Sequence, residues 1–91
     1  MNIMASFKNL VFVTHPGLPD SIMARYRFNN GKELSVVAGT NLYSTSKAGN
    51  RAAASNPDDV SSFEVLVGKK DDVRGWQSRE DINEIFAENE V

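Results

Sequence analysis

The chain has 91 residues, carries twelve acidic residues against ten basic ones, and has a net charge of −2 at pH 7. A domain of this size buries only about 60–65% of its unfolded surface, so we expect one modest core with little stability to spare for a deep substrate pocket. Cysteine is absent, which excludes disulfides, thiolate catalysis and cysteine-containing zinc sites, and fits a reducing compartment. The first apolar run, residues 10–13, is too short for a signal peptide or a membrane span, so we expect a cytoplasmic protein without a membrane partner.

The small net charge conceals two parts of opposite sign. Residues 1–57 carry six cations and two acids, whereas residues 58–91 carry four cations and ten acids. One interpretation is that the two parts neutralise each other within the fold, because the basic strands pack near an acidic C-terminal element. The other is that the folded protein has one electropositive and one electronegative face, which would steer a charged protein partner towards it.

Four strands are predicted in chain order. Residues 6–14 are rich in β-formers, and a turn with two prolines and a glycine follows them. Residues 22–28 alternate between an apolar and a more polar face, which is typical of a half-buried antiparallel strand. The apolar face consists of Ile22, Ala24, Tyr26 and Phe28, and the opposite face of Met23, Arg25 and Arg27. Residues 33–39 and 62–68 complete the set.

The turn between the second and third strands predicts their register. A two-residue Asn30-Gly31 turn would place apolar residues opposite polar ones along the hairpin. A three-residue loop, residues 29–31, instead pairs Tyr26 with Leu34 and Arg27 with Glu33, which keeps one face apolar. Gly31 then supplies the positive φ that a bulged turn requires. The sequence therefore favours the three-residue loop.

One helix is predicted after a charged turn at residues 69–72. It begins at residue 78 or 79 and runs to about residue 89. Ser78 is a good N-cap, and Asp81 three residues later resembles a capping box. The apolar stripe consists of Ile82, Ile85 and Phe86. Glu84, Glu88 and Glu90 lie towards the C-terminal end, where the helix dipole disfavours acid, so we expect that end to fray.

Together these elements predict the α+β class. We expect a four-stranded, mostly antiparallel sheet with the C-terminal helix packed on one face. The chain should form a single domain over residues 1–91, with a long loop at residues 40–60. The uncovered face or an edge strand leaves room for a homodimer.

The segment of residues 40–60 is the most unusual part of the sequence. It shows no sustained period of 2 or 3.6, and Lys47 and Arg51 are its only cations. A structureless connection longer than about 12–15 residues is uncommon in a compact domain and usually indicates a functional or a disordered loop. A short helix near residues 50–55 is compatible with its alanines. We expect the loop to be a binding element that the fold does not need, so that deletion of residues 44–55 leaves the fold intact.

The sequence offers little for catalysis. His15 is the only histidine and precedes a proline, so a turn role is favoured over that of a general base. The adjacent pairs Asp58-Asp59 and Asp71-Asp72 do not match the oxygen spacing of a calcium loop. No phosphate loop or dinucleotide motif is present. We therefore expect a protein that is not an enzyme and needs no metal or cofactor.

The sequence disfavours nucleic acid as a partner. Arg25 and Arg27 share a strand face with Met23, but the aromatic side chains of that strand point to the opposite side. Single-strand binders combine cations with exposed aromatic stacking platforms, and their footprint is strongly basic. The sequence pI of about 5.3 argues against such a footprint.

Trp76 has two interpretations. It follows Gly75 just before the helix, where it could pack between helix and sheet as part of the core. An exposed Trp76 beside Arg74 and the acidic helix would instead be a strong interface anchor, since Trp and Arg dominate binding hot spots.

A series of short motifs resembles small uncharacterised accessory proteins of tailed bacteriophages. The motifs are FNNGKELSVVAG at residues 28–39, Leu42-Tyr43, FEVLV at residues 63–67, and Gly75-Trp76 before an acidic helix. The resemblance covers roughly residues 26–86 and transfers no catalytic residue. It implies the cytoplasm of an infected bacterium and a role in binding a host protein.

The leading hypothesis is a non-enzymatic protein-binding module, such as a phage-encoded modulator or inhibitor of a host protein. The alternatives are a small structural or assembly protein that acts as a homo-oligomer and, less favoured, a nucleic-acid-binding protein. The candidate contact residues of the long loop are Tyr43, Lys47, Asn50 and Arg51. A second candidate patch consists of Arg74, Trp76, Glu80, Glu84 and Glu88.

Overall fold

The computed structural model describes residues 5–68 and 72–90. Within them the chain forms seven strands, one α-helix and two short 3-10 turns. The strands are β1 (Val13–Thr14), β2 (Ser21–Arg27), β3 (Glu33–Gly39), β4 (Thr45–Ser46), β5 (Gly49–Asn50), β6 (Val60–Val67) and β7 (Val73–Gln77). The helix is α1 (Arg79–Asn89), and the 3-10 turns are Phe7–Asn9 and Pro57–Asp59. The predicted α+β class is confirmed, but the predicted count of four strands is wrong.

The strand β6 organises the antiparallel sheet because it pairs with three others. The strand order is β1-β2-β3-β6-β4-β5, and β7 also pairs with β6. The additional strands are short or irregular: β4 and β5 have two residues each, and β7 pairs through a bulge. The strands β4 and β5 are too short to show a period of 2, and the bulge interrupts that period in β7, so the sequence pattern does not reveal them.

The predicted hairpin between β2 and β3 is confirmed in its register. Tyr26 lies opposite Leu34, and Arg27 lies opposite Glu33. The Phe28 amide donates to the Lys32 carbonyl at 2.8 Å, which closes the three-residue loop, and Gly31 has a φ of +91°. The apolar face of β2 therefore points into the core, where Ile22, Ala24 and Phe28 are buried.

The helix α1 covers this apolar face as predicted. Ile82, Ile85 and Phe86 are buried, and the Phe86 ring meets the Phe28 ring edge-on with centroids 5.3 Å apart. The capping box at the start of the helix is also confirmed. Ser78 Oγ accepts from the Asp81 amide at 3.0 Å, and the Ser78 amide donates to Asp81 Oδ2 at 2.9 Å.

The C-terminal end of α1 is clamped rather than frayed, so that prediction is wrong. Glu90, the residue after the helix, accepts from the Tyr26 hydroxyl at 2.8 Å and from the Asn29 amide at 2.7 Å. Asn30 Nδ2 donates to the buried Asn89 at 2.7 Å. These long-range bonds tie the helix end to the β2–β3 hairpin and outweigh the local dipole effect, which is worth only about 0.3–1 kcal/mol.

The first predicted strand, residues 6–14, is mostly not a strand. Asn9 Oδ1 accepts from the Ser6 amide at 2.8 Å, and this local bond supports a 3-10 turn in place of an extended chain. Only Val13 and Thr14 pair with β2. The segment serves packing instead, because the Phe7 and Phe12 rings lie 5.2 and 5.5 Å from the Phe63 ring.

Residues 40–60 form an ordered part of the fold, which corrects two expectations. They contain the β4–β5 hairpin and the turn at Pro57–Asp59, and no helix forms near residues 50–55. Ser44 is 1% exposed and its Oγ accepts from the Gly39 amide, while Ala54 is buried in the core and its amide donates to Asp20 O. Deletion of residues 44–55 would remove these buried contacts, so the segment is not dispensable for the fold.

The predicted charged turn at residues 69–72 lies outside the described residues apart from Asp72. In the described part of the chain, no helix is long and apolar enough to cross a membrane.

The clamp at Glu90 predicts an alkaline pH dependence. The pKa of Tyr26 is raised, first by the hydrogen bond to Glu90, then by burial and by the Glu90 charge. The native state therefore holds the phenol proton more tightly than the unfolded chain does. This contribution to the free energy of unfolding is complete below the unfolded pKa of about 10 and is lost as the pH rises through the native pKa.

Tyr26→Phe removes this contribution and should lower the free energy of unfolding by about 1 kcal/mol at pH 7. In urea titrations the difference between the native chain and the variant should shrink as the pH rises above about 10. Tyr43→Phe, which leaves the Glu90 contacts intact, serves as control. A difference that stays constant to the highest pH tested would contradict the role of the Tyr26 proton.

Ser44→Ala tests whether residues 40–60 belong to the folded core. It leaves the buried Gly39 amide without its 3.1 Å acceptor. The expected loss is about 1–3 kcal/mol in the free energy of unfolding, seen as a lower melting temperature. Ser61→Ala removes an exposed hydroxyl that donates to the Thr45 carbonyl at 3.3 Å, and it should change stability by less than about 0.5 kcal/mol. Equal effects of the two substitutions would speak against a structural role of Ser44.

Candidate functional site: an exposed aromatic cluster

The side of the sheet away from α1 is called the outer face here. Along it, the register places Val13, Met23, Val37 and Glu64 opposite one another on β1, β2, β3 and β6. A second row contains Arg25, Ser35, Leu66 and Val73 on β2, β3, β6 and β7. The alternation of β-strand side chains separates these residues from the buried core on the other side.

A bulge in β7 lies at the end of the first row. Phe63 pairs with Gln77 and Val65 pairs with Arg74, so Gly75 and Trp76 together oppose the single residue Glu64. Trp76 has a φ of +51°, which is unusual for a bulky residue. Its amide donates to the Tyr43 carbonyl at 2.9 Å. The loop after β3 thereby supplies the hydrogen-bond acceptor for the Trp76 amide in the bulge.

Four side chains meet at this bulge, and they are called the Tyr43–Trp76 cluster: Tyr43, Asn50, Arg51 and Trp76. The Tyr43 and Trp76 ring centroids are 5.2 Å apart, and the Arg51 guanidinium carbon lies 5.0 Å from the centre of the Tyr43 ring. Trp76 Nε1 donates to Asn50 Oδ1 at 2.7 Å. An aromatic pair stabilises a fold by about 0.5–1.5 kcal/mol, and an exposed cation–π contact stabilises it by about 0.5–1 kcal/mol.

The backbone beneath the cluster is both strained and firmly held. Outside glycine, the described residues with positive φ are Asp20, Asn41, Arg51 and Trp76, so two of the four belong to the cluster and a third supports it. Each costs about 1–3 kcal/mol and persists only where the surrounding structure holds it in place, and such residues concentrate at functional sites. Asn41 donates to the Arg51 carbonyl and accepts from the Arg51 side chain, both at 2.9 Å.

Two further contacts fix Tyr43 on the outer face. Its amide donates to Glu64 Oε1 at 3.0 Å. Its Cβ lies so close to Gly75 that a Cβ added there would be only 3.0 Å away. The cluster therefore joins three segments of the chain, and Gly75 is needed for their close approach.

The cluster remains open to solvent despite this support. Trp76 is 47% exposed and Tyr43 is 43% exposed, so the interpretation of Trp76 as a core residue is wrong. Asn50 and Arg51 are exposed as well. Because Asn50 already accepts from the indole N–H, the cluster offers mainly aromatic surface and one guanidinium. It has no group placed to act as a nucleophile or a general base.

Of the predicted contact residues, the structure brings together the four of the cluster and separates the rest. Lys47 forms an ion pair with Asp59 at 3.1 Å, and Arg74 forms one with Asp72 at 3.1 Å. Glu80, Glu84 and Glu88 are exposed on α1, on the opposite side of the sheet. Sequence reasoning missed Asn41, Glu64 and Gly75, and only the glycine before the tryptophan could have indicated a close approach.

Other places in the fold offer less chemistry. A depression of about 590 Å³ lies beside the β2–β3 loop and is lined in part by the exposed pair Arg27–Glu33. Its described lining residues include no serine, threonine, cysteine or histidine. His15 Nδ1 accepts from the Gly17 amide at 3.0 Å and so takes part in a turn. Residues 5–68 and 72–90 hold no group of three or more side chains suited to a metal ion.

Comparisons with protein-family models, with curated protein sequences and with solved structures found no match for this chain. The geometry of the described residues is therefore the basis for a functional assignment.

Gly75→Ala tests the close packing of the cluster. The added methyl group would press on Tyr43 at 3.0 Å and displace it from Trp76, the only tryptophan of the chain. We expect a shift in the tryptophan emission maximum and a loss of about 1 kcal/mol in stability. Gly17→Ala is the control, since its added Cβ would come no nearer than 3.7 Å to His15. An unchanged emission spectrum of Gly75→Ala would contradict the described packing.

Proposed function

We propose that this chain is a non-enzymatic protein-binding module whose contact surface is centred on the Tyr43–Trp76 cluster. The observation that carries the proposal is a half-exposed Trp–Tyr pair with an arginine stacked on it, held by backbone in left-handed conformation. Trp, Tyr and Arg are the residues that dominate protein-binding hot spots. Rings buried in the core would stabilise a monomer more than rings left half-exposed on strained backbone, whereas a binding protein gains an anchor from the exposed rings.

The rigidity of the cluster supports binding by a prepared surface. A disordered loop would have to be ordered on binding and would lose affinity in the process. Here the hydrogen bond from the Trp76 indole to Asn50 fixes the Trp76 side chain beforehand, and the bond from the Tyr43 amide to Glu64 fixes the Tyr43 backbone. Preorganisation of this kind reduces the entropic cost of association.

The biological setting remains the one that the sequence resemblance suggests. We propose a phage-encoded modulator of a host protein, acting in the bacterial cytoplasm by occupying a surface rather than by chemistry. The support is the resemblance over residues 26–86 together with the exposed cluster at two of its motifs, Tyr43 and Trp76.

Alanine substitution in the cluster tests the proposal. The tagged chain is used to capture partners from bacterial lysate, and the affinity for the identified partner is then measured with purified proteins. Trp76→Ala and Tyr43→Ala should each weaken binding by about 2 kcal/mol or more, roughly thirtyfold. The matched control is Val11→Ala, which truncates another exposed apolar side chain, 77% exposed and outside the cluster.

Circular dichroism and melting temperature establish that each variant is folded. Retained affinity in both folded cluster variants would refute the proposed contact surface. A loss of affinity in Val11→Ala equal to that in Trp76→Ala would also refute it.

A further inference from the structure

We infer that the outer face, from Arg25 to the Tyr43–Trp76 cluster, binds an acidic segment of the partner that also carries apolar side chains. This inference rests on the proposed function and specifies the chemistry of the partner. It depends on three features: an outer face that continues from Arg25 to the cluster across β3 and β6, a difference in charge between the two sides of the sheet, and apolar side chains that lie between the arginines.

The proposed surface begins in the second row at Arg25, which lies opposite Ser35 on β3 and, through it, Leu66 on β6. It ends at the Tyr43–Trp76 cluster, which lies beside Glu64 at the end of the first row. A depression of about 150 Å³ is lined there by Arg25, Ser35 and Leu66, together with Glu33, Leu34 and Gly68. Arg25 and Trp76 are three strands and about two residues apart. With strands about 4.8 Å apart and about 3.3 Å per residue, their Cα atoms are roughly 16 Å apart. An extended segment of about five residues spans that distance.

The charges on the outer face favour an anion. Arg25 and Arg51 form no ion pair with a carboxylate among the described residues. Arg27 is 3.9 Å from Glu33, but both side chains are more than half exposed, so this pair is weak and screened by water. Glu64 accepts from the Tyr43 amide but keeps its charge, so three arginines (Arg25, Arg27 and Arg51) stand against two glutamates (Glu33 and Glu64), and the balance on this face is +1. The exposed acids of α1 lie behind the sheet, so the two faces differ in sign.

The apolar residues in the middle of the outer face favour a peptide over a nucleic acid as the ligand. Val37 and Leu66 are half-buried and Val73 is 47% exposed, so apolar side chains of a partner would find apolar surface between the charged ends. A nucleic acid would place phosphates there and would need more cations than Arg25, Arg27 and Arg51 provide. An acidic peptide with apolar side chains is the better fit.

The probe is a random dodecapeptide library, selected on the immobilised full chain. Enriched peptides are synthesised, and their affinities are measured from the fluorescence of Trp76. We expect the enriched peptides to combine aspartate or glutamate with apolar residues and to bind more weakly at high salt. Arg25→Glu should weaken binding at least about tenfold, because it places like charge against the ligand.

The matched control is Lys8→Glu, an identical change of charge at an exposed residue of the 3-10 turn that contacts α1. It should change affinity by less than about threefold, since screened charges away from the site contribute little. A fluorescent twenty-nucleotide oligothymidine is measured in parallel. Tighter binding of the oligothymidine than of every peptide would overturn the inference in favour of nucleic acid.

Three other results would also overturn it: no enriched peptide, enriched peptides without acidic residues, or equal effects of Arg25→Glu and Lys8→Glu. These failures are distinct from a failure of the proposed function. If the captured partner is lost with Trp76→Ala but is bound equally well by Arg25→Glu, the cluster is the contact surface and the acidic-segment inference is wrong.

Discussion

The backbone hydrogen bonds of β6 are the constraint on which the rest of the molecule depends. This strand pairs with β3 through residues 64–67, with β4 at its beginning and with β7 in its middle. It also carries Phe63, Val65 and Val67 into the core on one side and Glu64 and Leu66 to the outer face on the other. Buried backbone groups must find partners, so an unbroken β6 determines where the neighbouring segments can lie. The core and the candidate site therefore lie on opposite sides of the same strand.

The parts of the fold that the sequence predicts well are those where several local signals agree. In the β2–β3 hairpin, the alternation of apolar residues, the Asn-Asn-Gly turn and the Arg27–Glu33 pair all require the same register. At α1, the cap residues Ser78 and Asp81 coincide with the start of the apolar stripe. The prediction of fraying at the helix end is wrong because the dipole argument considers only the helix. Glu90 accepts hydrogen bonds from a hairpin about sixty residues away in sequence.

The candidate site was predictable in composition but not in arrangement. Residue type alone favours Tyr43, Arg51 and Trp76 as interface residues, and the structure confirms that all three are exposed. Their meeting depends on a bulge, on residues with positive φ and on a two-stranded β4–β5 hairpin, none of which has a periodic signature. The predicted division of the contact residues into one patch on the loop and one patch at the helix is therefore wrong. Trp76 lies with the loop, and the helix glutamates lie on the other side of the sheet.

The close approach of Tyr43 to Gly75 has an evolutionary consequence. A side chain at residue 75 would displace residue 43, and a change at residue 43 would alter the partner of the Trp76 ring. Selection therefore acts on these positions jointly rather than one at a time. Among descendants of this chain, a smaller residue at position 43 would permit alanine at position 75, and the two sites should change in concert. A lineage that retains Tyr43 and Trp76 is constrained to retain the glycine within β7, because its lack of a side chain is what admits Tyr43.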